Sequence, residues 1–189
     1  MVKILQKDDP ILRKTALSVE RGMFSTPKLQ KIIRDMKFAL AKEDDGVALA
    51  GPQIGVPLRL FVISDRVMQI LHSEKKNKNR KCVNIVFINP EIIKISREKE
   101  ILEEGCLSVR FLYGKIERAK KVKIRAMNEN GDIFEMGASG LLAQIFQHEI
   151  DHLAGKLFLD NATDIHEIPP NNIANHSSRR KIIQNDNET

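Results

Sequence analysis

The sequence predicts an α+β fold with few helices and many short strands around one central helix. Two segments, residues 29–40 and 141–152, carry apolar residues at helical spacing. The chain between them has short runs of alternating apolar and polar residues, with Asn-Pro and Asn-Gly pairs that are typical of turns. Short strands with few helices are typical of this class.

Length and composition indicate one soluble globular domain. The chain has 189 residues, enough to bury a core, and lacks the run of about eighteen apolar residues that predicts a membrane span. The folded pattern starts near the first residue, without a signal or transit peptide, and two cysteines argue against a disulfide framework. We therefore expect a cytoplasmic protein without a membrane partner. The net charge of +6 suits an anionic surface, but a solvated basic face is commoner, so specific nucleic-acid binding is not expected.

Two capped helical segments are expected near the start of the chain. Residues 8–14 predict a short helical turn with Pro10 at its first position, and Thr26-Pro27 predicts the start of a long helix that ends at residues 43–46. Its apolar stripe consists of Leu29, Ile32, Ile33, Met36 and Leu40.

Small residues dominate the next segment, from Gly46 to Gln53. They let another segment or a ligand approach the backbone closely, although composition alone favours an ordinary buried turn. A loop with the basic run 75–81 is expected at residues 66–81, and Cys82 lies outside every motif and is interpreted as a bystander. Strands are expected at residues 58–65, 83–88, 91–95, 122–127 and 133–136, the last two joined by a turn at Asn130-Gly131.

Two histidines four residues apart are the main functional signal. His148 and His152 share one face of a helix, and Glu149 follows the first of them. Two imidazoles so placed can hold one metal ion, and the glutamate can reach a metal-bound water as a general base. The alternative is a pair of hydrogen-bonded core histidines, but ligand spacing around a glutamate, in a chain with five histidines, favours a metal site.

The flanking residues predict that the histidines face the interior. One helical stripe contains Leu141, Ile145, His148 and His152. Ser139 is the expected N-cap of this helix, and Gly155 is its expected stop. We therefore expect a central metal-binding helix packed among small antiparallel β-sheets.

The histidine motif supplies two ligands, whereas a catalytic site usually has three. One class of metalloproteases continues the motif with a third histidine and a methionine turn. Phe158 occupies that histidine position and no methionine follows Met136, so this class is nearly excluded. Cys106 is a better candidate, because a thiolate binds zinc or ferrous iron well and Gly105 and Ser108 predict a tight turn beside it.

Three segments together resemble the peptide deformylase family. Residues 46–53 resemble its first motif, residues 104–108 its second and residues 148–152 its third. Their order and separations agree, and similar connecting sequence covers residues 4–160. One short motif would be weak evidence, but three in order, with Cys106 completing the ligand set, are specific.

The resemblance implies an enzyme that removes the formyl group from the N-terminal formyl-methionine of newly made polypeptides and releases formate. Cys106, His148 and His152 would hold one divalent metal, and Glu149 would be the general base for the metal-bound water that attacks the formyl carbon. The family usually works with Fe²⁺, although Zn²⁺, Ni²⁺ or Co²⁺ would suit these ligands. The implied partners are N-formylmethionyl nascent peptides and, transiently, the ribosome.

The resemblance also implies roles for residues beside the metal. The Gln53 amide and the Leu107 backbone N–H would stabilise the oxyanion that forms during the attack. Arg118 would pair with Glu104 behind the cysteine, and a buried pair of this kind would fix the cysteine loop.

Substrate contacts follow from the same resemblance. The backbone around Val47 and Ala48 would pair with the bound peptide. The methionine side chain would enter an apolar pocket that includes Val47, Leu141, Ile145 and the apolar part of His148.

Four positions depart from the family pattern. Ala48 stands where glycine is usual and Gly51 where alanine is usual, and Ala48 would be strained if its φ were positive. Arg110 stands where proline is usual, and Tyr113 stands where bacterial members often carry an arginine that orients the substrate. Either Arg110 replaces that arginine, or substrate affinity differs.

We assign residues 1–165 to a single catalytic metallohydrolase domain and residues 166–189 to a polar, loosely ordered tail. Pro169, Pro170 and the serines and asparagines that follow are typical of a disordered segment. A basic patch at residues 179–181 has no assigned role.

Three alternatives stay open. A zinc endopeptidase of the His-Glu-x-x-His type is disfavoured by the missing downstream ligand, and would gain support if Cys106 lay far from the histidines. A catalytically weak deformylase-like protein would explain the four departures, although all ligands and the base are intact. A metal-stabilised or RNA-binding module would use the basic run as its surface, but a structural zinc site needs a fourth ligand, and the motifs offer none.

Overall fold

Two antiparallel sheets and two long α-helices form the part of the chain that the computed structural model describes, residues 2–67, 69 and 85–169. Helix α1 spans Pro27–Ala41 and helix α2 spans Gly140–Leu153. The strands are β1 (Ala48–Ala50), β2 (Leu60–Ile63), β3 (Ile85–Ile95), β4 (Lys99–Gly105), β5 (Leu112–Ala119), β6 (Lys121–Met127), β7 (Ile133–Ser139) and β8 (Thr163–Glu167). Short 3-10 helices lie at Pro10–Arg13, Arg21–Met23, Gly51–Ile54 and Phe158–Asp160. The predicted α+β class is confirmed.

The two helical segments near the start of the chain are capped as predicted. Asp9 accepts a hydrogen bond from the backbone of Ile11 at 3.0 Å, and Pro10 opens the first 3-10 helix. Thr26 accepts one from the backbone of Leu29 at 3.3 Å and opens α1. The buried side of α1 packs on β1 and β2, and consists of Leu29, Ile33, Met36, Ala39 and Leu40.

The five-stranded sheet has the order β1-β2-β3-β6-β7. The strands predicted at residues 83–88 and 91–95 form one strand, β3, over the described residues. Asn89 has a φ of 50°, and the register shifts between Ile88 and Glu91. Such an irregularity bends a strand. As a result, the first part of β3 pairs with β2 and the second part with β6.

The hairpin β6–β7 forms around the predicted Asn130-Gly131 turn. Gly131 has a φ of 90°, which favours glycine, and the Asn128 side chain accepts hydrogen bonds from the backbones of Asn130 (2.9 Å) and Asp132 (3.0 Å). Strand β7 extends three residues past the predicted end and leads directly into α2.

All three strands of the small sheet, which has the order β4-β5-β8, were missed by sequence reasoning. Strand β5 buries the charged residue Arg118, which weakens its apolar pattern, and every residue of β8 is exposed. Strand β8 ends at Glu167, so the predicted domain boundary after residue 165 falls inside it. Residues 170–189, the basic run 75–81 and Cys82 lie outside the described residues.

Helix α2 packs against both sheets, as predicted for the central helix. Phe146 contacts the ring of Phe87 edge-on, with centroids 5.2 Å apart, inside the main core. Ser139 occupies the N-cap position, although its side chain makes no capping hydrogen bond with the described residues. Gly155 ends the helix with a φ of 73°, as predicted. Within the described ranges, no helix is long and apolar enough to span a membrane.

Candidate active site

The three predicted ligands lie together where the small sheet meets α2. Cys106 follows β4 directly, whereas His148 and His152 lie one turn apart on α2. Sγ of Cys106 is 3.2 Å from Nε2 of His152, and donor atoms of all three residues lie within 4.8 Å of one another. A thiolate and two imidazoles this close fit one divalent cation with room for a further ligand.

A buried ion pair orients the first histidine. Nδ1 of His148 lies 2.8 Å from Oε2 of Glu104, which leaves Nε2 to face a metal. Arg118 donates to both oxygens of Glu104, at 2.8 and 3.0 Å, and to Asp151 at 2.6 Å. Burial opposes ionisation of Glu104, but the hydrogen bonds and charges of His148 and Arg118 outweigh it and lower its pKa from 4.5 to about 2.

Glu149 and His152 each carry a buried polar atom that has no hydrogen-bond partner among the described residues, Oε2 and Nδ1 respectively. Burial raises the pKa of Glu149 from 4.5 to about 7; the charge of His148 opposes this rise, and that of Glu104 adds to it. Burial lowers the pKa of His152 well below its usual value. His152 is therefore neutral at pH 7, which is the form that binds metals.

Gln53 reaches the ligands from the 3-10 helix that follows β1. Its side chain is 2% exposed, and Oε1 accepts a hydrogen bond from the backbone of Ala50 at 2.7 Å. This bond turns Nε2 toward Ser108 Oγ, at 3.1 Å, and Cys106 Sγ, at 3.5 Å. The amide donor therefore lies beside the ligand set.

Two sheet edges border a cleft above these residues. Val47 and Ala48, at the free edge of the large sheet, line one wall, and residues 103–107, at the edge of the small sheet, line the other. Leu141 and Ile145 of α2 lie between the two walls. The cleft therefore contains every residue that the sequence assigned to substrate binding.

The structure accounts for the exchange of Ala48 and Gly51. Ala48 lies in β1 opposite Ile63, and its φ is not in the positive region, so alanine is unstrained there. A Cβ on Gly51 would lie 2.9 Å from the backbone oxygens of Val56 and Leu58. Only glycine fits at position 51 without a shift of the backbone.

Tyr113 and Arg110 make different contacts from those that the sequence suggested. Tyr113 is buried, stacks on His166 and covers Gly105, where a Cβ would lie 2.5 Å from its ring. Arg110 donates to Asp45 at 2.7 Å and also to Glu43. Its guanidinium is thus engaged with two carboxylates of the protein.

Sequence reasoning missed several polar residues that hold the site. Gln147 bonds both the N–H and the C=O of Ala119, at 2.9 and 3.0 Å, and Gln144 donates to the backbone oxygen of Glu103 at 2.9 Å. Gln144 precedes His148 by one helical turn, so its position on the ligand face is a signal that could have identified it.

Comparison with known proteins agrees with this geometry. Residues 1–167 match the family model described as polypeptide deformylase. A peptide deformylase of Pseudothermotoga lettingae is 45% identical over 158 residues, which cover 84% of this chain and 81% of the relative. A peptide deformylase of Desulforudis audaxviator is 39% identical over 165 residues, which cover 87% of this chain and 96% of the relative.

Solved structures show the same fold. The crystal structure of peptide deformylase from Thermotoga maritima has a TM-score of 0.72 at 36% identity, covering 86% of this chain and 98% of that one. The Met-Ala-Ser-bound structure of a class I type b peptide deformylase from Acinetobacter baumannii has a TM-score of 0.73 at 29% identity, covering 85% and 97%. The chain therefore belongs to the polypeptide deformylase family, and like the relatives of that name it is an enzyme that removes N-terminal formyl groups.

Proposed function

We propose that Cys106, His148 and His152 hold one divalent metal at which the formyl group is removed from the N-terminal formyl-methionine of newly made polypeptides. The single observation that carries this assignment is the meeting of one thiolate and two imidazoles at the cleft. When bound, the cation would acidify a water molecule and polarise the formyl oxygen. We propose Fe²⁺ as the native ion, although Zn²⁺, Ni²⁺ and Co²⁺ suit the same donors.

Glu149 is the proposed general base and later the general acid. Oε2 takes a proton from the attacking water and delivers it to the leaving amino nitrogen, so that formate and a free N-terminus result. Two properties support this role: the oxygen is buried without a partner among the described residues, and burial raises its pKa to about 7. A pKa near the working pH suits a group that must both accept and donate a proton.

Gln53 and Leu107 are the proposed donors to the oxyanion that develops on the formyl oxygen. The orientation of Gln53 supports this role, because Ala50 holds its oxygen and turns the amide nitrogen toward Cys106. Leu107 follows Cys106 and lines the cleft, so its backbone N–H is the second candidate donor. Donors that are held in place before the reaction stabilise such a charge best.

The peptide is proposed to lie extended between the two walls of the cleft. Strand β1 is an edge strand, so the backbone at Val47 and Ala48 offers hydrogen bonds on its free side. The methionine side chain would pack against Val47, Leu141 and Ile145, as well as the carbon atoms of His148. Val47 is 42% exposed, which suits a residue that a substrate covers.

The endopeptidase alternative would have gained support if Cys106 lay far from the histidines, but Cys106 lies beside both of them. The family match also favours deformylation. The competing proposal is a catalytically weak enzyme. Only a measurement of deformylase activity distinguishes it from an active one. A transient ribosome contact stays a prediction from the sequence resemblance.

The deciding experiment is formate release from a formyl-Met-Ala-Ser peptide. The protein is loaded with Fe²⁺ under anaerobic conditions, and the metal content of the same sample is measured. We expect rapid release with one metal per chain. A filled metal site without release would support the weak-enzyme alternative, and hydrolysis of internal peptide bonds would revive the endopeptidase.

A further inference from the structure

The side chain of Arg110 joins segments from the two sides of the cleft. It starts on the wall that follows Cys106 and ends at the segment between α1 and β1, where Nη1 and Nη2 donate to the two oxygens of Asp45 at 2.7 and 3.2 Å. Nη2 also donates to Glu43. Only 22% of the Arg110 side chain is exposed, and two-pronged contacts of this kind fix the geometry of both partners.

Both ends of this bridge are attached to the cleft walls. On one side, the Arg110 backbone N–H donates to Gln6 at 3.4 Å, and Gln6 donates to the backbone oxygen of Leu107 at 3.1 Å. On the other side, Arg66 donates to the backbone oxygen of Glu43 at 3.1 Å. The bridge is therefore linked through Gln6 to the backbone of Leu107 on one wall, and through Asp45, two residues before Val47, to the other wall.

We propose that Arg110 is a positioning residue that holds the β1 wall at a fixed separation from the Cys106 wall, so that a peptide meets both walls already in place. This inference rests on the proposed function. It differs from a direct contact with the substrate, because the guanidinium already faces two carboxylates, Asp45 and Glu43. A binding site that is already ordered avoids the free-energy cost of ordering on binding.

Steady-state kinetics separate positioning from direct binding. With the metal-loaded enzyme and formyl-Met-Ala-Ser, we expect Arg110→Gln to raise KM about tenfold and leave kcat within about twofold, with partial rescue in Arg110→Lys. Asp45→Asn should raise KM similarly, and the double variant should be no worse than either single one. Direct substrate binding by Arg110 predicts a normal KM for Asp45→Asn, and that result would overturn the proposal.

Hydrogen exchange provides a readout that needs no turnover. The backbone N–H of Gly46 donates to the oxygen of Glu43 at 3.1 Å, and that of Ser64 donates to the oxygen of Val47 at 2.9 Å. The amides of Gly46 and Ser64 should therefore exchange faster in Arg110→Gln. Arg125→Gln is the matched control, because it breaks an arginine–glutamate pair with Glu135 on the outer face of the large sheet. Hydrogen exchange at the wild-type rate in Arg110→Gln would overturn the proposal that Arg110 positions the β1 wall. A wild-type enzyme that releases no formate would instead count against the proposed function, and the exchange result would still decide the bridge.

Discussion

The chemistry of Glu149 is set by where its carboxyl group lies. The side chain is 3% exposed, and burial raises its pKa because a charge is poorly solvated inside the protein. A cation held by the neighbouring ligands would lower that pKa again. Glu149 can therefore change its protonation state during turnover, whereas Glu104, held by Arg118, stays ionised.

Removing the Glu149 carboxyl group should strongly reduce turnover without removing the metal. In Glu149→Ala, we expect kcat to fall by about 10²–10⁴, the range for the loss of a general acid–base group. The metal content should remain at one per chain, because the three proposed ligands are intact. Formate release and metal analysis on the same sample test this, and full activity in the variant would contradict the assignment.

The Glu104 pair should make stability depend on pH. The pKa of Glu104 in the folded protein is about 2, below its ordinary value of 4.5. The contribution of Glu104 to the free energy of unfolding is therefore complete above pH 4.5 and is lost as the pH falls toward 2. This shift in the Glu104 pKa corresponds to roughly 3 kcal/mol in the free energy of unfolding. The free energy of unfolding of the metal-free protein, measured in urea, should therefore differ between wild type and Glu104→Gln. This difference should become smaller as the pH falls from about 6 to about 3. A difference that stays constant with pH would contradict the prediction.

At the scale of the element, β1 and the 3-10 helix after it depend on close backbone approach. Gly51 connects the strand that lines the cleft to the helix that carries Gln53. Among the strands that the structure describes, the short β1 pairs only with β2, and its other edge is where the peptide is proposed to bind. A distortion at Gly51 would therefore displace both the peptide edge and the amide donor.

Gly51→Ala should destabilise the protein, although the sequence resemblance predicts alanine at this position. The new Cβ would lie 2.9 Å from two backbone oxygens, so we expect a loss of about 1–3 kcal/mol in the free energy of unfolding. The matched control is Gly137→Ala in β7, where no heavy atom of the described residues, apart from the two adjacent ones, lies within 4 Å of the new Cβ. Urea unfolding of both variants tests this, and equal stabilities would contradict it.

An element could be predicted where the sequence pattern that specifies it lies within a few consecutive residues. Helix α1, the β6–β7 hairpin and the end of α2 were predicted because Thr26, Asn130-Gly131 and Gly155 act through their own backbone. Strand β8 was missed because it pairs with a strand that is distant in the sequence. Strands β4 and β5 were missed because they bury the charged residues Glu104 and Arg118, which interrupt their apolar patterns. Arg118 is the clearest case, since a charged residue is buried only where Glu104 and Asp151 meet it.

At the scale of the whole molecule, the proposed metal site connects parts that are distant in the sequence. Cys106 directly follows a strand of the small sheet, whereas both histidines lie on the helix that also packs on the large sheet. An ion bound there links the two and favours the folded state, because the unfolded chain does not hold the ligands together.

Metal removal should lower the melting temperature. At a metal concentration of about a thousand times Kd, metal binding adds about 4 kcal/mol to the free energy of unfolding. For a protein of this size, this corresponds to an increase of about 8–16 °C in the melting temperature. Differential scanning calorimetry with and without a chelator measures the shift. In Cys106→Ser, the chelator should lower the melting temperature by less than it does in the wild type. A decrease equal to that of the wild type would argue against Cys106 as a ligand.

The sequence by itself determined the local chemistry: the two histidines one helical turn apart, the glutamate beside them and the caps and turns that bound the elements. These depend on the geometry of a few consecutive residues. The motifs also predicted Cys106 as the third ligand, and the structure places it beside the histidines. Only the tertiary structure decided which other distant groups meet: Tyr113 over Gly105, and Arg110 against Asp45 instead of facing the substrate. The reason is physical, since the partner of a buried charge or ring is chosen by the packing of the whole chain and leaves no periodic signal in the sequence.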